Sequence, residues 1–256
     1  MKVYILGWDE GFTSYATNEV MNHLAEIGAL KGAEVKENPH AGYYTGYKNF
    51  SSSGAEEALS THSDHYVSNQ AYSVGSYVKG CVFLNQIKYI VGEEDFQAGM
   101  LKFYNTWKFK HPNANDFIRS MEKQSGLELD WYKEYMVYTT KTIDYRVKNF
   151  NPSKKKKSTL IELEKIGVMP MPLDVVVTTR KGKKFVYNIP LRMMRGNKPQ
   201  EDSDAGYAVL EDWPWVNATY TMDIPIKTKD IATIEIDPSG RLADVDRTNN
   251  QLSNAE

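Results

Sequence analysis

The period of the apolar residues changes once along this chain, and that change limits the fold more than any other feature. Up to about residue 142 apolar side chains recur every third or fourth position, as on one face of a helix. Beyond it they alternate, as on a half-buried strand. Helices followed by strands imply an α+β chain rather than alternating βαβ units. The first helical stripe is Phe12, Tyr15, Ala16, Val20, Leu24 and Ile27, with Gly28 and Gly32 placed to end it. A second helix is expected from Val74, carrying Val78, Cys81, Leu84, Ile87 and Val91 and ending at Gly92. Glu93–Asp95 give an acidic first turn to a third, with Phe96, Met100, Phe103, Tyr104 and Trp107, which His111-Pro112 breaks. Asn113 and Asp116 have the spacing of a capping box ahead of Phe117, Ile118 and Met121. Asp130 is expected to cap a last helix with Trp131, Tyr135 and Tyr138. Residues 33–70 show no period. A loop that long in a compact domain usually hides short helices, and Ala55–Leu59 is the candidate.

In the second part, Asn151-Pro152-Ser153 and Lys154–Lys157 form a polar, basic break, read as a solvated turn. Thr159, Ile161 and Leu163 then alternate with Leu160, Glu162 and Glu164. Val175–Thr179 and Phe185–Ile189 flank Arg180-Lys181-Gly182-Lys183, a hairpin signal, and Tyr220–Ile224 and Ile231–Ile236 are further strands. Closely spaced turns suggest a small β-sandwich. Two domains are therefore expected, helical over 1–142 and β over 143–256.

Charge and cysteine content narrow the function classes. Lys and Arg number 31 against 33 Asp and Glu, a formal charge of −2, which gives no case for nucleic acid or an anionic membrane surface. No run approaches the ~20 apolar residues of a membrane span. Met1–Gly7 is too short for a secretory core, so no export signal is expected within the chain. The single cysteine, Cys81, excludes an intrachain disulfide and a Cys-rich zinc cluster, and its place in an apolar stripe suggests an inert core thiol.

Two short segments carry chemistry. Trp8-Asp9-Glu10-Gly11-Phe12-Thr13-Ser14-Tyr15 opens the first helix, and Tyr72-Ser73-Val74-Gly75-Ser76-Tyr77-Val78-Lys79-Gly80 opens the second. Each alone reads as an ordinary helix start. In this order they resemble the membrane alanyl aminopeptidase (aminopeptidase N) family of gluzincins, with its W-[LM]-[DN]-E-G-F-x-x-Y and Y-x-K-G segments. One residue is missing between the Trp and the Asp. Gly92–Phe96, Lys108-Phe109, Asn115–Phe117 and Gly126–Trp131 extend the likeness to about residue 145. The resemblance implies the helical C-terminal half of a thermolysin-like peptidase domain. In the family, zinc is held by two His of an HExxH helix and by the Glu matching Glu10, and the Tyr matching Tyr77 donates to the oxyanion of the tetrahedral intermediate. Tyr72 matches a Tyr that some members place beside the site, which implies a supporting, substrate-binding role.

The HExxH is not here. The histidines are His23, His40, His62, His65 and His111, none in that motif, and only nine residues precede Glu10. The expectation is a zinc aminopeptidase part lacking two ligands, the general base and the N-terminal half that would partner it. A late start, a frameshift or a truncated gene would account for this, and the chain by itself is expected to be inactive. His62-Ser63-Asp64-His65, near Glu56 and Glu57, reads as an ordinary polar loop, and Asp244-Val245-Asp246 with Asn249 and Asn250 lacks the Gly and distal Glu of a calcium loop. The alternatives are a non-catalytic peptide- or protein-binding module, its surface formed by Glu10–Phe12 with Tyr43, Tyr44 and Tyr47, or a decayed gene product. Bacterial members are often exported, which leaves the compartment open.

Overall fold

A computed structural model describes residues 7–155 and 157–254. Met1–Leu6, Lys156 of the lysine run and the side chain of Trp8 lie outside the described residues. The helices are α1 (Gly7–Glu26), α2 (Ala41–Ser51), α3 (Asn69–Ser73), α4 (Gly80–Val91), α5 (Glu93–Trp107), α6 (Ala114–Ser125) and α7 (Asp130–Tyr138). Between α3 and α4, Val74–Lys79 winds as a π-helix, so the chain is helical without a break from Asn69 to Val91.

α4 is mostly apolar and buried on every side, the polar Asn85 and Gln86 included. From Cys81 to Val91 only Lys88 escapes full burial. Gly92, at φ +90°, ends it and turns the chain into α5. Asn113 and Asp116 form the expected capping box: Asn113 Oδ1 accepts from the Asp116 amide at 3.3 Å, and Asp116 Oδ2 accepts from the Asn113 amide at 2.9 Å. Phe117, Ile118 and Met121 of α6 are buried as expected.

Several expectations are corrected. In α1, Tyr15 is buried and Phe12 packs on the core, but Val20 and Ile27 are exposed. The helix is buried only along Gly11, Ser14 and Tyr15, and its later turns run past the core. Ala55–Leu59 is not helical; the helix hidden in that stretch is α2, with Tyr44, Tyr47 and Phe50 buried. Tyr44 and Tyr47 therefore do not form a binding surface. Leu129, not Asp130, precedes α7, and Asp130 is its first residue, taking Lys133 Nζ at 2.8 Å. α7 buries Tyr132, Met136 and Val137 in place of Trp131, Tyr135 and Tyr138. The Tyr132 hydroxyl, which donates to the Phe83 carbonyl at 2.9 Å, sets that rotation.

The strands are β1 (Tyr145–Pro152), β2 (Thr159–Lys165), β3 (Leu173–Thr179), β4 (Lys184–Ile189), β5 (Gly206–Val209), β6 (Thr219–Ile224), β7 (Ile231–Ile236) and β8 (Gln251–Ser253). They form a three-stranded sheet, β1-β2-β6, and a five-stranded sheet, β5-β4-β3-β7-β8, in which only β4–β5 is parallel. The lysine run falls between the two strands of the β1–β2 hairpin, in keeping with the expected solvated turn. Thr159, Ile161 and Leu163 face inward, and Gly182, at φ +79°, makes the β3–β4 turn.

One hydrophobic cluster runs from Tyr15 and Ile87 through Leu129 to Ile161, Val175 and Ile236, so helices and sheets share a core. At their junction the Tyr89 hydroxyl, on α4, accepts from the Asp174 amide of β3 at 3.0 Å. Lys198 is buried over the Tyr89 ring, its Nζ 4.4 Å from the centroid, and pairs with Asp174 and, at 2.9 Å, with Glu201. Arg241 grips Glu201 with bonds of 3.0 and 2.6 Å.

Candidate active site

The two motif segments meet through their glycines. A Cβ on Gly11 would lie 2.7 Å from both the Cα and the carbonyl carbon of Gly80. No real side chain fits there, so α1 and the start of α4 touch backbone to backbone. That contact brings Glu10, one residue before Gly11, beside Tyr77, three residues before Gly80. The neighbouring Glu10 carboxylate pushes the Tyr77 phenol up to about 12. The group is therefore neutral and a donor throughout the physiological range. Tyr77 is 37% exposed, and Glu10 is half-buried.

Tyr72 completes the group. Its ring meets that of Tyr77 edge-on at 6.4 Å, and Tyr66 meets Tyr72 edge-on at 5.7 Å. The three residues singled out from the sequence, Glu10, Tyr72 and Tyr77, thus sit together. The sequence reading missed what holds them. Tyr77 lies within the π-helical turn, where Gly80 N–H reaches back to the Gly75 carbonyl. Such turns cost hydrogen-bond regularity and are frequent at functional sites. Lys79, noted only as a motif letter, is buried, and its Nζ donates to Glu56 Oε1 at 2.6 Å and to the Thr139 carbonyl at 3.0 Å. A lysine inside an otherwise apolar helix pattern is the one signal that could have found it.

The remaining candidates lie in other settings. The His62 and His65 rings are 5.3 Å apart around a single short turn, and His62 Nδ1 accepts from the Asp64 amide at 3.3 Å. Glu57 accepts from the Val67 amide at 2.9 Å. His40 is buried, its Nε2 2.7 Å from Glu19 Oε1 and its Nδ1 3.4 Å from Cys81 Sγ. Cys81 is fully buried, and burial pushes its thiol up to about 12. Asp244 is buried and saturated with donors: the amides of Tyr145 and Asp246 at 2.9 and 3.0 Å and Asn250 Nδ2 at 3.0 Å. It ties the C-terminal segment to β1.

The donor chemistry can be tested against zinc. Three protein ligands are the usual catalytic set. Among the described residues no group of three or more His, Cys, Asp or Glu is arranged to hold a metal ion. Glu10 offers one carboxylate with two phenols as neighbours. The described residues therefore do not by themselves fit a zinc ion.

The sequence profile of this chain matches the "Peptidase family M1 domain" over residues 5–136. The chain belongs to the M1 peptidase family. Aminopeptidase N of Haemophilus influenzae is 28% identical over 128 residues, 45% of this chain and 14% of that protein. A probable aminopeptidase 2 of Sulfurisphaera tokodaii is 41% identical over 51 residues, 20% of this chain and 6% of that protein. The crystal structure of Legionella pneumophila aminopeptidase A in complex with aspartic acid aligns at 13% identity and a TM-score of 0.48, covering 68% of this chain and 18% of that one. The chain thus spans a small fraction of the length of these relatives. No described helix is long and apolar enough to cross a membrane.

Proposed function

We propose that this chain furnishes one wall of an aminopeptidase cleft, with Glu10 as the carboxylate ligand of the family's zinc and Tyr77 as the donor to the oxyanion that forms on the scissile carbonyl. The observation that carries this is the Glu10–Tyr77 pair, set side by side by the Gly11–Gly80 contact and half open to solvent. A neutral phenol held at a fixed carboxylate stabilises charge as it develops, without a proton of its own to lose near pH 7. Tyr72 backs the Tyr77 ring and borders the place where a peptide would lie. The substrate class is a peptide with a free N-terminus. The zinc in family members supplies Lewis acidity and an activated water. The other ligands and the general base would come from a segment carrying HExxH, the partner half.

On this reading the 256-residue chain alone is inactive, because one carboxylate is a poor site for a catalytic metal. Residues 1–142 are the helical portion of a thermolysin-like catalytic domain, and 143–256 a β-sandwich domain that braces it. The last helix ends at Tyr138 and the first strand begins at Tyr145, which fits that division. The test is direct. Purified chain is titrated with zinc, and release from aminoacyl-nitroanilides is measured. No stoichiometric metal and no turnover are expected. Stoichiometric zinc with turnover, abolished in Tyr77→Phe, would keep the residue roles and overturn the inactivity. Turnover unaffected by both Glu10→Gln and Tyr77→Phe would overturn the roles themselves.

A further inference from the structure

We propose that Lys79 is a positioning residue, which holds the Tyr77 ring in place beside Tyr72 by anchoring the end of the π turn to Glu56 and to the Thr139 carbonyl. The inference rests on the Glu10–Tyr77 reading above and adds what holds that pair in register.

The first support is the cost of the lysine. The residue is 1% exposed. Burying an isolated charge costs several kcal/mol unless it is paired and hydrogen-bonded. Lys79 meets both conditions with acceptors from two distant stretches: Glu56, in the irregular segment after α2, and Thr139, at the end of α7. Burial pulls the ammonium below its ordinary range, and Glu56 opposes that pull. A methionine would fill the same space at no such cost, so packing alone does not account for a lysine.

The second support is the turn itself. A π turn holds one residue more than an α turn, and relaxing it to α geometry would rotate the residues on one side by about 100°. Two consecutive residues resist that rotation. Gly80 is locked against Gly11, and Lys79 is tied to its two acceptors. Tyr77 lies two positions earlier, inside the pinned turn. The other end of the turn is also packed, since a Cβ on Gly75 would lie 3.1 Å from the Tyr66 hydroxyl oxygen and Tyr72 abuts Tyr77. The Tyr77 ring is thus aimed by contacts at both ends of its turn, and Lys79 supplies the only one of these that is ionic.

The test reads ring position, not turnover. The full chain is labelled with 3-fluorotyrosine, and the Tyr77 fluorine resonance is assigned by its loss in Tyr77→Phe. In Lys79→Met that resonance is expected to move by more than its linewidth or to split, while those of Tyr145 and Tyr187 in the sheets hold still. Glu56→Gln, which keeps an acceptor but removes the charge, is expected to move it in the same direction by less, and it decides the matter if Lys79→Met does not fold. An unmoved Tyr77 resonance in the folded variant overturns the proposal. So does a shift shared equally by Tyr145 and Tyr187, which would make Lys79 a general anchor of the fold. Zinc binding and turnover are not read, so failure of the catalytic reading would leave this result standing.

Discussion

Two regions of this molecule concentrate charged groups, and they use them differently. At the helix–sheet junction, Lys198, Asp174, Glu201 and Arg241 surround the Tyr89 ring, and each ion has an opposite charge in contact. Burial alone would raise the Glu201 carboxyl, but Arg241 and Lys198 outweigh it and hold the group at about 2. At the α1–π turn contact, Glu10 is half-buried and its neighbour is the Tyr77 phenol, a neutral group. A carboxylate whose lone pairs are filled by fixed cations has nothing left for a ligand. One whose neighbours are phenols has most of its lone pairs left for a ligand. The junction is therefore read as architecture and the helix contact as chemistry.

That contrast predicts a gradient of stability effects. The largest is expected at the junction: Lys198→Met leaves Asp174 buried without its cation and should cost about 4 kcal/mol in urea unfolding. A cost under about 1 kcal/mol would put the junction on the footing of a surface pair and collapse the contrast. Next is Gly11→Ala, whose new methyl meets Gly80 backbone that cannot give way, with an expected loss of about 2 kcal/mol. The same variant should separate Glu10 from Tyr77, seen as a fall of the Tyr77 phenol from about 12.

A smaller effect tests a buried acid that has no cation. Burial pushes the Asp244 carboxyl up to about 6, against the three donors that favour its charged form. The folded chain holds that proton more tightly than the unfolded one. The contribution is therefore fully present below the unfolded value near 4 and is lost as pH rises through about 6. Asp244→Asn should flatten the stability profile across that window and cost about 1 kcal/mol through a misplaced donor. Glu201 has the opposite sign, its stabilisation present above the unfolded value and lost as pH falls toward 2. The smallest effect is expected at the site: Glu10→Gln should change stability by less than about 0.5 kcal/mol, as at other half-open positions. A loss above about 2 kcal/mol would make Glu10 a structural residue and break the comparison from the other side.

Much of this fold was legible residue by residue. The capping box at Asn113 and Asp116, the buried stripe of α4, and strands β2 and β7 follow from spacing alone. α2 was not legible as a helix, because Gly42 and Gly46 dilute its pattern, although Tyr44, Tyr47 and Phe50 fall three apart on its buried side. The α7 face was off by one residue, because a tyrosine can be buried or half-exposed and only the bond from Tyr132 to Phe83 decides which. The lysine run was legible as a solvated turn, and it falls between the paired strands β1 and β2.

The sequence by itself singled out the candidate residues. Glu10, Tyr72 and Tyr77 stand in recognisable segments, and apolar period, a local property, placed them on helices. Only the tertiary structure decided that Glu10 and Tyr77 are neighbours, that their turn is π rather than α, and that a buried Lys79 ties it to Glu56 and Thr139. The physical reason is one of range. Periodicity reports which face of a segment avoids water, whereas a helix-to-helix approach at two glycines and a buried ion pair depend on what a distant segment brings to the same place.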